Sequence, residues 1–227
     1  MKFVIFDIDG TLANTKTVDD QCFIKSFMDT FEIDITNEKW EELQNVTDWG
    51  LTEEILIREV KRNPTNDDYR LMKTNMLSNL ANEKIRDQSQ FNEVLGARNF
   101  FYELKEMKEF ELGIATGAWE QSAKFKLDSI GIELNSICFS NSDHHKRRED
   151  ITKDVIHQLK NRTNTSPDQI IYFGDGVWDY KTCKNLGIDF IGIDVEHNGK
   201  LEKLGASVVF QDYSDKHLIM NELRKGG

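Results

Sequence analysis

Four apolar residues in unbroken succession, Phe3-Val4-Ile5-Phe6, stand near the start of the chain and stop at a carboxylate, Asp7. So short a run without polar alternation reads as a strand buried on both faces, as in the middle of a parallel sheet. From residue 91 onward, helical and strand periodicities alternate. Residues 93–108 predict a helix through Val94, Leu95, Phe100, Phe101, Leu104 and Met107, followed by a strand at Leu112-Gly113-Ile114-Ala115. A helix over 118–130 ends at Gly131, and Ile137-Cys138-Phe139 reads as a strand. A helix over 150–161 precedes Gln169–Phe173, whose Ile170-Ile171-Tyr172-Phe173 is pure strand in composition. A helix over 177–186 stops at Gly187, Asp189–Ile193 is the next strand, and Val208-Val209-Phe210 with a helix over 214–224 completes the pattern. Such alternation predicts an α/β fold with a doubly wound parallel-sheet (Rossmann-like) core.

Residues 16–88 depart from it. Cys22, Phe23, Phe27 and Phe31, then Ile55, Leu56 and Val60, then Leu71, Met72, Met76, Leu77 and Leu80 recur at helical spacing, with no strand pattern between them. The expectation is four helices forming an inserted all-helical cap, so that 1–15 and 89–227 make the core and 16–88 the cap.

Composition narrows the function. The net charge of -11, from 40 acidic against 29 basic residues, disfavours nucleic acid and anionic membranes as partners. No apolar run approaches the roughly 20 residues that span a bilayer. Lys2 precedes only four apolar residues, too few for a signal peptide. Three widely spaced cysteines, Cys22, Cys138 and Cys183, form no CxxC pair and read as reduced thiols, which with the foregoing points to a cytoplasmic protein, monomer or homodimer.

The candidate chemistry lies at strand ends, where open α/β sheets put their ligands. Asp7-Ile8-Asp9-Gly10-Thr11-Leu12 follows the first strand, and two crowded carboxylates there need a cation or a shared proton. The other reading is a solvated Asp-Gly turn. Thr116-Gly117 offers a hydroxyl and a free amide where a helix begins, an anion site or a plain N-cap. Gly174-Asp175-Gly176-Val177-Trp178-Asp179 brings two carboxylates of the kind Mg²⁺ prefers, beside glycines that admit a ligand, or else forms an Asx turn. Near the remaining strand end, Lys146-Arg147-Arg148 supplies cations or a solvated loop. What favours the chemical readings is their convergence on one sheet edge.

With these residues the chain resembles the haloacid dehalogenase-like superfamily, in its phosphatase branch, over its whole length. Asp7-x-Asp9-Gly10-Thr11-Leu12 matches the first motif, Thr116-Gly117 the second and Gly174-Asp175-Gly176-x-x-Asp179 the fourth. The helical segment after the first motif is similar to the small cap of phosphoglycolate phosphatase-like members. The third motif is usually a lysine followed by Pro-x-Pro and Asp. Here Lys146 keeps the spacing to Asp150 without either proline, and Arg148 stands as its competitor, with Lys146 the expected choice. The resemblance implies a Mg²⁺-dependent phosphatase for a small phosphorylated metabolite. In it Asp7 is the nucleophile and Asp9 the acid and base. Thr116, Gly117 and Lys146 or Arg148 bind phosphate, and Asp7, the Asp9 carbonyl, Asp175 and Asp179 surround the metal.

A dehalogenase is disfavoured, since displacing halide from carbon needs neither Asp9 nor a metal set. A catalytically silent binding protein is disfavoured by the intact aspartates. A phosphomutase of the β-phosphoglucomutase type uses the same core. It would need Arg58, Lys61, Arg62, Arg70 or Lys73 to grip a second phosphate. Substrate choice is expected in the segment Thr47-Asp48-Trp49-Gly50-Leu51-Thr52, unless this is an interhelical turn with Thr52 capping the next helix.

Overall fold

The computed structural model describes residues 1–225. Its centre is strand β1 (Lys2–Phe6), whose Phe3, Val4, Ile5 and Phe6 have no exposed surface. Successive side chains of a strand point to opposite faces. Val4 and Phe6 accordingly join a core layer with α4 (Ala97–Lys105), α5 (Glu120–Ser129) and α9 (Lys216–Arg224). Phe3 and Ile5 join the opposite layer with α6 (Arg148–Thr163) and α7 (Val177–Leu186). Burying each such side chain contributes roughly 1.5–3 kcal/mol, which fixes the strand end that carries Asp7.

The other strands are β2 (Phe110–Ala115), β3 (Cys138–Ser140), β4 (Gln169–Gly174), β5 (Asp189–Ile193) and β6 (Val209–Phe210). They form one parallel sheet in the order β3-β2-β1-β4-β5-β6. The chain runs outward from β1 through β2 to β3, then returns to build β4, β5 and β6 on the other side. The direction reverses between β1 and β4, and the crevice beyond their carboxyl ends is where doubly wound sheets bind ligands. Asp7 and Asp175 follow β1 and β4 directly. A single turn, α8 (Lys200–Lys203), lies between β5 and β6. Among the described residues no helix is long and apolar enough to cross a membrane.

Residues 16–88 form three helices, not the expected four: α1 (Lys16–Phe31), α2 (Asp48–Val60) and α3 (Asn66–Arg86), with short 3-10 turns at Trp40–Glu42 and Gln88–Phe91. Glu32 ends α1 in the left-handed conformation, and the stretch to residue 47 packs Ile33, Ile35, Trp40 and Leu43 onto the helical cluster without forming another α-helix. Thr47 rather than Thr52 is the N-cap of α2. Its hydroxyl accepts the Gly50 N–H at 3.0 Å, while Thr52 lies inside the helix and donates back to the Asp48 carbonyl. The three helices bury Phe23, Phe27, Leu56, Met72, Met76 and Leu80 in a cluster that also takes in Trp119.

Most of the remaining boundaries shift from expectation by one to four residues. The helix expected from residue 93 begins at Ala97, after Gly96 takes a left-handed conformation, and Leu95 is exposed. The helix expected from residue 150 begins at Arg148.

Candidate functional site

Asp7 leaves β1 with its backbone N–H donating to the Phe173 carbonyl at 2.9 Å, and its side chain is almost entirely buried. The chain then turns sharply at Gly10, which has φ 76°, a region L side chains rarely adopt. A Cβ at Gly10 would also lie 2.4 Å from the Asp175 carboxylate, so only glycine lets these two loops close on each other. Carboxylate oxygens of Asp7, Asp175 and Asp179 all lie within 4.8 Å of one another. Asp179 is fully buried. Its Oδ2 accepts the Gly176 N–H at 3.0 Å, and its Oδ1 faces the Tyr172 hydroxyl at 3.3 Å.

Three buried carboxylates at such spacing are costly to ionise together. Burial, then repulsion from Asp179, Asp175 and Asp9, pushes Asp7 well above the usual carboxylate range, although Arg148 opposes it. Burial raises Asp175 to about 6, against the pull of Lys16, whose Nζ donates to Asp175 Oδ2 at 2.6 Å. Burial also raises Asp179, with Arg148 again opposing. The cluster therefore calls for more positive charge than the protein supplies.

The cation on Asp7 is Arg148. Its Nη1 donates to Asp7 Oδ1 at 3.2 Å and to Asp179 Oδ1 at 2.9 Å, and its Nε donates to the Val46 carbonyl at 2.9 Å. The guanidinium lies 5.7 Å from the Trp178 ring centroid and packs so close to Gly117 that a Cβ there would meet it at 2.7 Å. Lys146, the expected choice, lies elsewhere in this structure: its Nζ donates to Glu53 Oε2 at 2.6 Å on α2, and this pair is partly exposed. Because α6 starts at Arg148 and not near Asp150, Arg148 occupies the helix's first turn and faces the strand ends. Lys146 falls in the preceding turn, where its carbonyl accepts the Thr47 hydroxyl at 2.7 Å.

Thr116 and Gly117 follow β2 into the same crevice. The Thr116 hydroxyl accepts the Ala118 N–H at 3.2 Å, and the Gly117 carbonyl accepts the Asp48 N–H at 2.8 Å. Asp48 Oδ2 in turn accepts the Trp119 N–H at 2.8 Å, so the start of α2 is clamped onto the loop after β2.

Asp9 does not join the three-carboxylate cluster through its side chain. Oδ1 accepts the Thr15 hydroxyl at 2.6 Å and Oδ2 accepts Lys126 Nζ at 2.5 Å. Lys126, on α5, has no exposed surface and also donates to Asp19 Oδ1 at 2.6 Å on α1. Burial works against its charge, yet Asp19, Asp9 and Asp48 hold its pKa above the ordinary lysine value. Sequence reasoning missed Lys126. The available signal was its place among Ser122, Ala123 and Leu127, four, three and one residues away on the inward face of α5, where a lysine needs buried partners. It also missed Lys16, Asp19, Asp20, Trp40 and Trp178.

These residues enclose a cavity of about 60 Å³ lined by Asp7, Asp9, Asp20, Asp48, Arg148 and Asp175 among others, room for a handful of water molecules. A larger cleft of about 680 Å³ between α3 and the start of α5 contains none of the strand-end carboxylates. Around the smaller cavity, burial raises Asp19 to about 6 and Asp20 to about 7, from an ordinary 3.8.

A carboxyl whose pKa is raised in the fold binds its proton more tightly folded than unfolded. Stability is then gained as pH falls through the raised value, until the unfolded chain is protonated too. In excess chelator, the thermal midpoint is expected to rise between pH 7.5 and pH 5, with Asp20→Asn flattening the upper part of the curve. Each group contributes about 1.4 kcal/mol per pH unit across its window. A midpoint that is flat or falls over this range, followed by circular dichroism, would show that Asp19, Asp20 and Asp175 are ionised in the fold at little cost.

A family model described as haloacid dehalogenase-like hydrolase matches residues 4–193. Among solved structures, a hydrolase from Pseudomonas syringae is 20% identical, with a TM-score of 0.74 over 98% of this chain and 99% of its own. CbbY from Rhodobacter sphaeroides, solved in complex with phosphate, is 16% identical, with a TM-score of 0.68 over 94% and 95% of the two chains. A predicted phosphoglycolate phosphatase from Haemophilus somnus 129PT is 15% identical, with a TM-score of 0.62 over 97% and 98%. No curated protein matches the sequence at a significant level.

Proposed function

Since the chain belongs to the haloacid dehalogenase-like hydrolases, we propose that it is a Mg²⁺-dependent phosphatase of a small phosphorylated metabolite, with residues 16–88 as the cap over its site. The observation that carries this reading is Arg148 on Asp7. A buried carboxylate with a guanidinium laid against it, and two more carboxylates beyond, suits attack on an anionic electrophile.

Asp7 attacks phosphorus, and its new bond to phosphorus forms as the bond to the leaving oxygen breaks, giving an aspartyl phosphate. Asp9 exchanges one of its contacts to Thr15 or Lys126 for the leaving oxygen and protonates it. It then takes a proton from the water that releases phosphate, a role contributing roughly 10²–10⁴-fold. Arg148, the Thr116 hydroxyl and the Gly117 amide hold phosphate oxygens. The clamp of Thr47 and Asp48 on the core loops excludes bulk water.

Asp7, Asp175 and Asp179 fit a divalent cation: all are oxygen ligands, mutually close, and raised by burial and repulsion that a cation relieves. With the Asp9 carbonyl, they are the groups that would hold Mg²⁺. The chemistry it supplies when bound is positive charge against the phosphate oxygens, which offsets their repulsion of the attacking carboxylate.

Water rather than a second sugar phosphate is favoured as final acceptor by where the basic residues of the cap point. Arg58 pairs with Glu38 and Glu59, Arg62 with Asp68, Arg70 with Asp67 and Lys73 with Asp143, and Lys61 donates to the Arg58 carbonyl. None of them lines the cavity at Asp7.

Turnover of a small chromogenic phosphate ester is expected to fall roughly 10³-fold or more in excess chelator, the scale of several kcal/mol of lost charge stabilisation, and to return with Mg²⁺. Undiminished turnover in chelator sinks the metal assignment.

A further inference from the structure

Past Asp9 the cavity meets a wall that transfer of the phosphoryl group itself does not use. Asp19 and Asp20 reach it from α1, Asp48 from the start of α2 and Trp40 from the 3-10 turn between them. In all, six carboxylates line the cavity, against Lys16 and Arg148. Every cation there is engaged: Lys16 with Asp175, Arg148 with Asp7 and Asp179, and Lys126 behind the wall with Asp9 and Asp19.

Two of the wall carboxylates keep capacity free. Asp48 is 6% exposed and uses Oδ2 on the Trp119 N–H, and among the described residues its Oδ1 has no hydrogen-bond partner. Asp20 makes no hydrogen bond or ion pair among the described residues. Asp20 is half-buried, and these carboxylate oxygens open onto a narrow cavity, where a few water molecules are the donors left to them. A ligand that brings its own donors can take the place of that water.

We propose that the alcohol released by this phosphatase carries a positive charge, the substrate being the phosphate monoester of a short amino alcohol whose ammonium group is received by Asp20 and Asp48 on the wall that Trp40 shares. The inference rests on the phosphatase reading above and names its substrate class. An ammonium brings three N–H donors and a full charge to two carboxylates. A leaving group with a carboxylate or second phosphate would face the same wall with no free cation to meet it, and like charges brought together in a small desolvated cavity repel strongly. The cavity's size keeps the leaving group to a few heavy atoms.

The reaction balances without a further reactant. The ester oxygen leaves phosphorus with its bonding pair and takes the proton from Asp9, giving the neutral hydroxyl of a still protonated amino alcohol. Water then adds to phosphorus, gives its proton to Asp9 and frees Asp7 and inorganic phosphate.

The test is kcat/KM for three esters of equal length that differ at one end: 2-aminoethyl phosphate, 2-hydroxyethyl phosphate and phosphoglycolate. A chromogenic ester is run beside them with Mg²⁺. The ammonium ester is expected to lead the hydroxyl ester by at least about tenfold and phosphoglycolate by about a hundredfold, the scale of one and two charge-assisted contacts. In Asp20→Asn and in Asp48→Asn the ratio of ammonium to hydroxyl ester should collapse toward one. Equal or faster turnover of the hydroxyl ester or phosphoglycolate by the wild-type protein overturns the proposal, whatever the variants do. So does an ammonium preference that survives both substitutions. No turnover of any of the four esters is a different failure, since it removes the phosphatase reading itself.

Discussion

Asp7→Asn is expected to end turnover and phosphoenzyme formation together, while raising the thermal midpoint of the cation-free protein. Asparagine keeps the volume of aspartate and removes the attacking oxygen anion, a loss on the scale of a missing nucleophile, roughly 10⁴-fold or more in kcat. The stability effect follows from burial. Desolvation, then repulsion from Asp179, Asp175 and Asp9, keeps the ionised form of Asp7 unfavourable in the fold despite Arg148. The unfolded chain pays no such cost at neutral pH, so an uncharged residue at position 7 favours the fold. The measurements are a rapid-quench assay for covalent phosphate and a melt in chelator at pH 7.5. Covalent phosphate on Asp7→Asn would move the nucleophile to another residue. A lowered midpoint would mean that the pairing of Arg148 with Asp7 outweighs the cost of burying the carboxylate. Asp9→Asn makes the contrast: turnover should fall roughly 10²–10⁴-fold, the range for a lost general acid and base, with an activated ester still phosphorylating Asp7.

The division between what was legible in the sequence and what was not follows range. Phe3–Phe6 and Ile170–Phe173 declare themselves because a strand covered on both faces must be apolar at every position, and the parallel order carries Asp7 and Asp175 to one edge. The helix Val177–Leu186 and the strand Asp189–Ile193 have the bounds that Gly187 and the apolar runs predict. The helical insertion was legible from its stripes. The number of its helices was not, because the apolar residues of 32–47 (Ile33, Ile35, Trp40 and Leu43) pack inward from an irregular backbone that tertiary contacts hold, such as the Val46 carbonyl on Arg148. Lys126 and Asp19 were invisible for a related reason. A lysine or aspartate on a helix usually faces water, and only the fold, by bringing α1 and α5 together across Asp9, turns both inward. The wall of Asp19, Asp20 and Asp48 is assembled from two helices of the insertion, and its purpose is unreadable until the cavity is seen.

Arg148→Ala is expected to cripple turnover where Lys146→Ala barely changes it. Spacing to Asp150 favours Lys146, but spacing counts residues and not directions. With α6 beginning at Arg148, the side chain two residues later in sequence is the one aimed at the strand ends. Arg148 holds Asp7 and Asp179 from a position 13% exposed. Removing a preorganised donor at a site of charge transfer costs about 10²–10³-fold in kcat, or about 2.7–4 kcal/mol. Breaking a buried pair from one side also costs about 3–5 kcal/mol of stability, so Arg148→Lys is the companion variant, keeping the charge while losing the planar guanidinium that joins both carboxylates through Nη1 to the Val46 carbonyl through Nε. It should fold, with intermediate turnover. Lys146 pairs with Glu53 across a partly exposed gap, where an ion pair is worth about 0.2–1 kcal/mol. That pair ties the insertion to the turn before α6, so its loss should appear as a modest rise in KM with kcat kept. A profile with the two positions exchanged, kcat lost in Lys146→Ala and retained in Arg148→Ala, would return the phosphate-binding role to Lys146. The guanidinium on Asp7 would then be a contact made only while no phosphate is bound.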